Sequence, residues 1–177
     1  ELRQCRALLR FDFQKSLDAK LASADTNQPR IAQVALQGGM CRPDSYLAAC
    51  RQVADHLVAL DLTSRTHADT RLHAIAARLD ALSRDATNRV ARSSLAGLPV
   101  IASGHQSDFC EWLGLQVVAA FRAADTASIG EIEEAIRAGK RGRVKLVVAN
   151  LPEGRRTADA LAERLKGADS YRKRGLL

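Results

Sequence analysis

The sequence predicts an α/β protein in which a long helical brace is joined to a parallel β/α lobe, with a partial second lobe before the brace. Between residues 44 and 92, apolar residues recur at the three- and four-residue spacing of amphipathic helices. From residue 98 onward, short apolar segments alternate with helical ones, which is typical of a parallel sheet covered by helices. We therefore divide the chain into a partial lobe (1–43), the brace (44–95) and the β/α lobe (96–177).

The partial lobe combines short helical and extended patterns. Residues 2–9 predict the end of a helix or its link to a strand, and residues 31–36 predict a short strand that Gly38 and Gly39 end. Between them, residues 11–21 predict a helix with three apolar side chains on one face: Phe13, Leu17 and Leu21.

The brace begins where Pro43 and Asp44 open a helix, since proline suits the first helical turn. After a pause at residues 61–66, a longer helix extends to about Arg92. Its apolar stripe has spacings of three and four: Leu72, Ile75, Leu79, Leu82, Ala86 and Val90. A helix of about 27 residues would span roughly 40 Å, which suits an element that runs the length of a protein.

The β/α lobe is predicted to contain strands at 99–102, 117–121 and 144–149. Ser128 and Glu131 have the spacing of a capping box, and Gly139 is placed to end the helix that this box begins. Pro152 opens the last helix with Ala158, Leu161 and Leu165 facing inward and Gly167 as its stop; a polar tail with weak helical character follows.

His105 is the candidate binding residue that the lobe itself suggests. It follows Ser103-Gly104, a turn signal at the carboxyl end of a buried strand, where ligands bind in open α/β sheets. A neutral imidazole there would bind a metal, or it would be a hydrogen-bonded structural residue. We expect His56, His67 and His73 to be surface residues, and Asp108 and Glu111 to be surface charges rather than supports for a ligand.

The sequence contains none of the motifs that would indicate an enzyme: there is no nucleophile elbow, phosphate-binding loop, HExxH or dinucleotide fingerprint. The net charge of +7 includes a dense basic run at 140–143, but no aromatic residues alternate with it, so we expect no nucleic-acid partner. The four cysteines have no metal-knuckle spacing. Because residue 1 falls inside a helical pattern, we expect a processed or partial sequence.

The order of these elements resembles a known family. A helical brace enters a lobe through strand-Ser103-Gly104-His105, and Trp112-Leu113-Gly114-Leu115, a Ser-x-x-Glu helix start and a Lys-Leu-Val-Val strand follow. This order is similar to that of the metal-binding solute-binding proteins of bacterial ABC transporters, the zinc/manganese group that includes adhesin-like lipoproteins. The resemblance implies two β/α lobes joined by a rigid helix, a zinc or manganese ion between the lobes, a periplasmic or cell-surface location and a membrane permease as partner.

The same resemblance implies the ligands. His105 matches the family's ligand at the start of the second lobe, and Asn150 falls where the family often has an acidic residue. The family's Pro-His motif has no histidine here. Cys41 stands in that region, and its thiolate would be a soft ligand in place of the histidine. From the family's pattern we also expect the first half of the N-terminal lobe and a clear final strand after Gly167 to be absent from this sequence.

These departures leave alternatives open. The chain is a metal-binding component of an importer, or it is a divergent homologue of the same fold that binds a non-metal ligand or has lost binding. A third hypothesis is a basic domain that contacts nucleic acid through Lys140 to Arg143.

Overall fold

Parallel strands and helices alternate along the chain in the computed structural model, which describes residues 5, 7–16, 18, 29–122, 126–165 and 169–171, with the backbone alone for 151–154 and 169–171. The chain forms two units, residues 1–83 and 84–177. The mixed α/β class with parallel sheets and one long helix confirms the predicted fold class.

Unit 1 begins with two parallel strands, β1 (Ala7–Phe11) and β2 (Arg30–Val34), which pair in register from Ala7–Arg30 to Phe11–Val34. The short strand predicted over 31–36 is therefore confirmed. Of the segment 2–9, which was predicted as the end of a helix or its link to a strand, residues 7–9 belong to strand β1, and residues 2–4 and 6 lie outside the described residues. A one-turn 3-10 helix, Asp12–Gln14, follows β1. Leu17 and Leu21 of the helical face predicted over 11–21 lie outside the described residues, and Phe13 is 67% exposed.

Two helices complete the brace region. Helix α1 spans Pro43–Ala59 with proline in its first turn, and α2 runs without a break from Arg65 to Arg92. Both were predicted to within two residues, because their apolar periodicity is regular and glycine and proline do not interrupt it. The apolar stripe of α2 is half-buried along most of its length, but Leu82 is 62% exposed. The boundary between the two units falls inside α2.

Unit 2 is built on a parallel sheet with the strand order β4-β3-β5-β6. Its strands are β3 (Pro99–Ser103), β4 (Gln116–Phe121), β5 (Leu146–Val148) and β6 (Asp169–Tyr171), and its helices are α3 (Gly104–Trp112), α4 (Ile129–Arg141) and α5 (Leu151–Arg164). Helices cover both faces. Val100 and Ala102 pack with Cys110 of α3, while Ile101 packs with α4 and α5 on the other face. Strand β3 is thus buried on both sides, which explains its continuous apolar sequence.

Three predictions for unit 2 need correction. Ser103-Gly104 is not a separate turn, since Ser103 is the N-cap of α3 and Gly104 its first residue. Gly139 does not end α4, which continues to Arg141 with Gly142 as its C-cap. A last strand does exist, since β6 pairs in parallel with β5 inside the segment predicted to be a polar tail. Gly167, the predicted stop of α5, lies outside the described residues.

Among the helices that the structure describes, none combines the length and the apolar character needed to cross a bilayer.

Candidate functional site

The candidate site is the carboxyl edge of the four-stranded sheet in unit 2. Because β3, β4 and β5 are parallel, they all end at this edge, and the helices that follow them begin there. Each of these helices presents the partial positive charge of its N-terminus and its first backbone N–H groups to the edge. This is the place at which open α/β sheets bind ligands.

Ser103 is the last residue of β3 and occupies the N-cap position of α3 without a side-chain capping hydrogen bond. Sequence reasoning did not single it out as a functional residue. Its backbone is extended (φ −64°, ψ 149°), and its carbonyl oxygen accepts a hydrogen bond of 3.2 Å from the Ser107 hydroxyl. The Ser103 side chain is 5% exposed, and no described residue hydrogen-bonds to its Oγ. The signal in the sequence was a serine placed directly between a buried apolar strand and a helix.

The structure brings His105 and Asn150 to this same edge. His105 is the second residue of α3 and is exposed, while Asn150 is the N-cap of α5 and is half-buried. They follow two neighbouring strands, in which Ala102 pairs with Val148. An imidazole nitrogen and an amide oxygen are both able to bind a metal ion, and both form hydrogen bonds with organic solutes.

A network of charged and polar groups surrounds the start of α4. Arg122, the residue after β4, forms an ion pair with Glu131 in the first turn of the helix. Ser128 Oγ accepts a hydrogen bond of 3.2 Å from the Glu131 backbone N–H, and the Ser128 backbone N–H donates to Glu131 Oε2 at 2.8 Å. This confirms the predicted capping box. The Ser128 hydrogen bond and the Arg122 guanidinium lower the pKa of Glu131 to about 2, so its carboxylate stays ionised.

Cys41, the third predicted ligand, belongs to unit 1. It is exposed and lies in the turn that precedes α1. None of the four cysteines forms a disulfide. Across the ranges that the structure describes, no group of three or more histidine, cysteine or acidic side chains is arranged to hold a metal ion.

Two other histidines have structural hydrogen bonds. His56 Nε2 lies 2.9 Å from the Gln33 carbonyl oxygen, and His73 Nδ1 lies 2.8 Å from that of Asp69, one helical turn earlier. These contacts orient the rings against the backbone.

Comparison with solved structures places the chain in a recognised fold, that of periplasmic metal-binding proteins. The Mn-bound periplasmic metal-binding protein of Candidatus Liberibacter asiaticus superposes with a TM-score of 0.78 at 11% identity, over 96% of this chain and 69% of that one. ZnuA gives a TM-score of 0.71 at 18% identity, over 96% and 71%. The laminin-binding protein Lbp of Streptococcus pyogenes gives 0.71 at 13% identity, over the same shares.

Because these identities are low, the likeness establishes only the fold of this chain. No protein-family model matches the sequence, and no curated protein is detectably similar to it. The carboxyl edge of the sheet and its residues are therefore the basis for any statement about function.

Proposed function

We propose that this chain is the solute-binding component of an ABC importer and that its solute is a divalent transition metal, zinc or manganese. The main support is the fold, which is shared over 96% of the chain with a structure described as a Mn-bound periplasmic metal-binding protein. Binding is stoichiometric and involves no turnover, so the chain is not an enzyme. The protein works in the periplasm or at the cell surface and delivers its solute to a membrane permease.

In this proposal His105 binds the metal through its imidazole, and Asn150 binds it through its amide oxygen. Both lie at the carboxyl edge of the same sheet, after neighbouring strands. A zinc site needs about four ligands, so water or further protein groups complete the shell. The role of Cys41 as a thiolate ligand stays a prediction from the sequence. The substitution Cys41→Ser tests that role separately.

The decisive experiment is calorimetric titration of the metal-stripped protein with Zn²⁺ and with Mn²⁺. We expect saturable one-to-one binding, and we expect His105→Ala to weaken it by at least about 100-fold, since even residues that only orient a ligand change affinity by about 10–100-fold. His73→Ala is the matched control, because the His73 ring is exposed and bonded to its own helix. Absence of binding to the wild type, or full affinity in His105→Ala, would overturn the proposal.

A second candidate is a small polar organic solute at the same edge. The observation in its favour is the buried Ser103 hydroxyl, which no described residue satisfies and which lies beside the N-terminus of α3. Hydroxyl and backbone N–H donors suit a carboxylate or a hydroxyl group. If metals fail to bind, a rise in melting temperature with small carboxylates that is lost in Ser103→Ala supports this candidate.

A further inference from the structure

An apolar groove lies between α1 and α2 within unit 1, with a cavity volume of about 490 Å³. This is within the range of about 300–1,000 Å³ that small-molecule sites occupy. Residues from β1, from the turn before α1 and from both helices line it. The groove involves none of the residues at the carboxyl edge of unit 2.

Alanines form the floor of the groove. Ala49 and Ala54 of α1 and Ala68 of α2 are 5%, 7% and 5% exposed, and all three line the cavity. Because each side chain is a single methyl group, the facing sides of the two helices leave space that larger residues would fill.

The walls consist of larger apolar side chains that remain partly open to solvent. Val53 and Leu57 of α1 and Leu72 of α2 are half-buried, and Met40 and Tyr46 are 42% and 41% exposed. Burial raises the pKa of the Cys50 thiol, which also lines the groove, so this thiol stays protonated and contributes as a small apolar group. An apolar ligand body would therefore bury hydrophobic surface against both helices.

The groove has a cationic side chain at its border. Arg71 and His67 are four residues apart on α2 and thus lie on the same helical face, and both line the groove and are exposed. Within the described part of the chain, no carboxylate forms an ion pair with Arg71. Arg65, on the same helix, is by contrast paired with Asp55 at 2.7 Å.

We propose that this groove binds an amphipathic carboxylate of the medium-chain fatty-acid class. The acyl chain lies over the alanine floor, and the carboxylate pairs with the Arg71 guanidinium, which presents donors in a fork that matches a carboxylate. The site goes beyond the proposed function at the sheet edge and does not depend on it.

Calorimetry with decanoate below its micelle concentration tests this proposal on the full chain. We expect saturable one-to-one binding, with octanoate weaker by about tenfold because two methylene groups fewer are buried. Decylammonium has the same alkyl chain but a like charge at Arg71, and we expect it to bind more weakly than decanoate.

Variants separate the charge from the apolar floor. We expect Arg71→Gln to weaken decanoate binding by about tenfold, because one charge-assisted contact is lost. Arg78 is an exposed arginine of α2 outside the groove, and we expect Arg78→Gln to leave decanoate binding unchanged. Ala68→Leu should fill the floor and abolish binding, with Ala81→Leu at an exposed position of α2 as control. If Ala68→Leu fails to fold, Ala54→Leu tests the same point from α1.

Three results would overturn the proposal: no decanoate binding by the wild type, equal effects of Arg71→Gln and Arg78→Gln, or a dimer in light scattering that Ala68→Leu converts to monomer. The last would show that a second copy of the chain covers the groove. Metal titration of Ala68→Leu keeps the two proposals apart, because the proposed metal ligands do not include this residue.

Discussion

Gly139 lies on the face of α4 that packs against the sheet, at a point where an added side chain would force neighbouring side chains to move. A Cβ atom there would be 2.8 Å from Ile101 Cδ1 and 2.8 Å from Leu165 Cδ2. Ile101 is fully buried in the centre of the sheet, so it has little freedom to move away. The close approach of helix and strand, rather than the end of the helix, is therefore the reason for glycine at this position.

We predict that Gly139→Ala destabilises the protein by about 1 kcal/mol, because overpacking costs about 1–3 kcal/mol and the greater helix propensity of alanine offsets up to about 1 kcal/mol of it. Gly130→Ala, in the first turn of the same helix, is the control. Its nearest neighbour atom is Ser128 Oγ at 4.0 Å, so the substitution should stabilise by up to about 1 kcal/mol. Urea unfolding followed by circular dichroism measures the free energy of unfolding of both variants. Equal changes in that free energy for Gly139→Ala and Gly130→Ala would contradict the packing argument.

Residues of the candidate site were predictable only in part. The position of His105 and Asn150 at one edge follows from the sequence, because polar residues that succeed parallel strands share an edge. The burial of the Ser103 hydroxyl at this edge did not follow, since the sequence does not reveal that the chain enters α3 directly after β3. The prediction that Cys41 is a ligand came from its place in a family pattern, and local spacing gives no independent argument for it.

At the scale of elements, the long regular helices and four of the six described strands were predictable, whereas strands β1 and β6 were not. The amphipathic period fixes α1 and α2 along the chain, whereas β1 and β6 depend on pairing with distant strands. Arg10 illustrates the difficulty in β1, because it is a buried charge in a strand. Asp18, eight residues later, pairs with both Nε and Nη2 of its guanidinium, and this pair raises the pKa of Arg10. The ion pair with Asp18 offsets the cost of burying the Arg10 charge, and only the folded chain reveals that pairing.

The start of α4 gives a prediction on pH dependence. The pKa of Glu131 falls from 4.5 to about 2 in the folded protein, mainly through its hydrogen bonds with Ser128 and its pairing with Arg122. Because the pKa is lower in the folded state, the contribution of the Glu131 carboxylate to folding stability is fully present above about pH 4.5 and is lost as the pH falls toward 2. The stability difference between wild type and Glu131→Gln should therefore shrink across that window.

Urea unfolding at several values between pH 2 and pH 6 measures this difference, and Glu134→Gln, at an exposed position of α4, is the control for the loss of one negative charge. If Glu134→Gln shows the same pH dependence as Glu131→Gln, the effect comes from net charge and not from the capping box.

At the scale of the whole molecule, the two units have different cores. In unit 1, the buried apolar side chains among the described residues are all small: Pro29, Val34, Ala49, Ala54 and Ala68. Unit 2 buries strands β3 and β5 between helices, with Val100, Ile101 and Val147 at 0% exposure. Since stability scales with buried apolar surface, unit 1 should open at a lower free energy than unit 2.

Hydrogen exchange followed by mass spectrometry tests this difference and, with it, both proposed sites. We expect amides of α1 to exchange faster than those of β3 and β5 in the ligand-free protein. Each ligand stabilises the part of the structure that binds it. Decanoate at 100 times its Kd should therefore slow amide exchange in α1 and in the first half of α2 by up to about 100-fold. A bound metal should instead slow exchange in the segment from β3 into α3. Protection of unit 2 by decanoate, without protection of α1, would show that the fatty acid binds outside the groove.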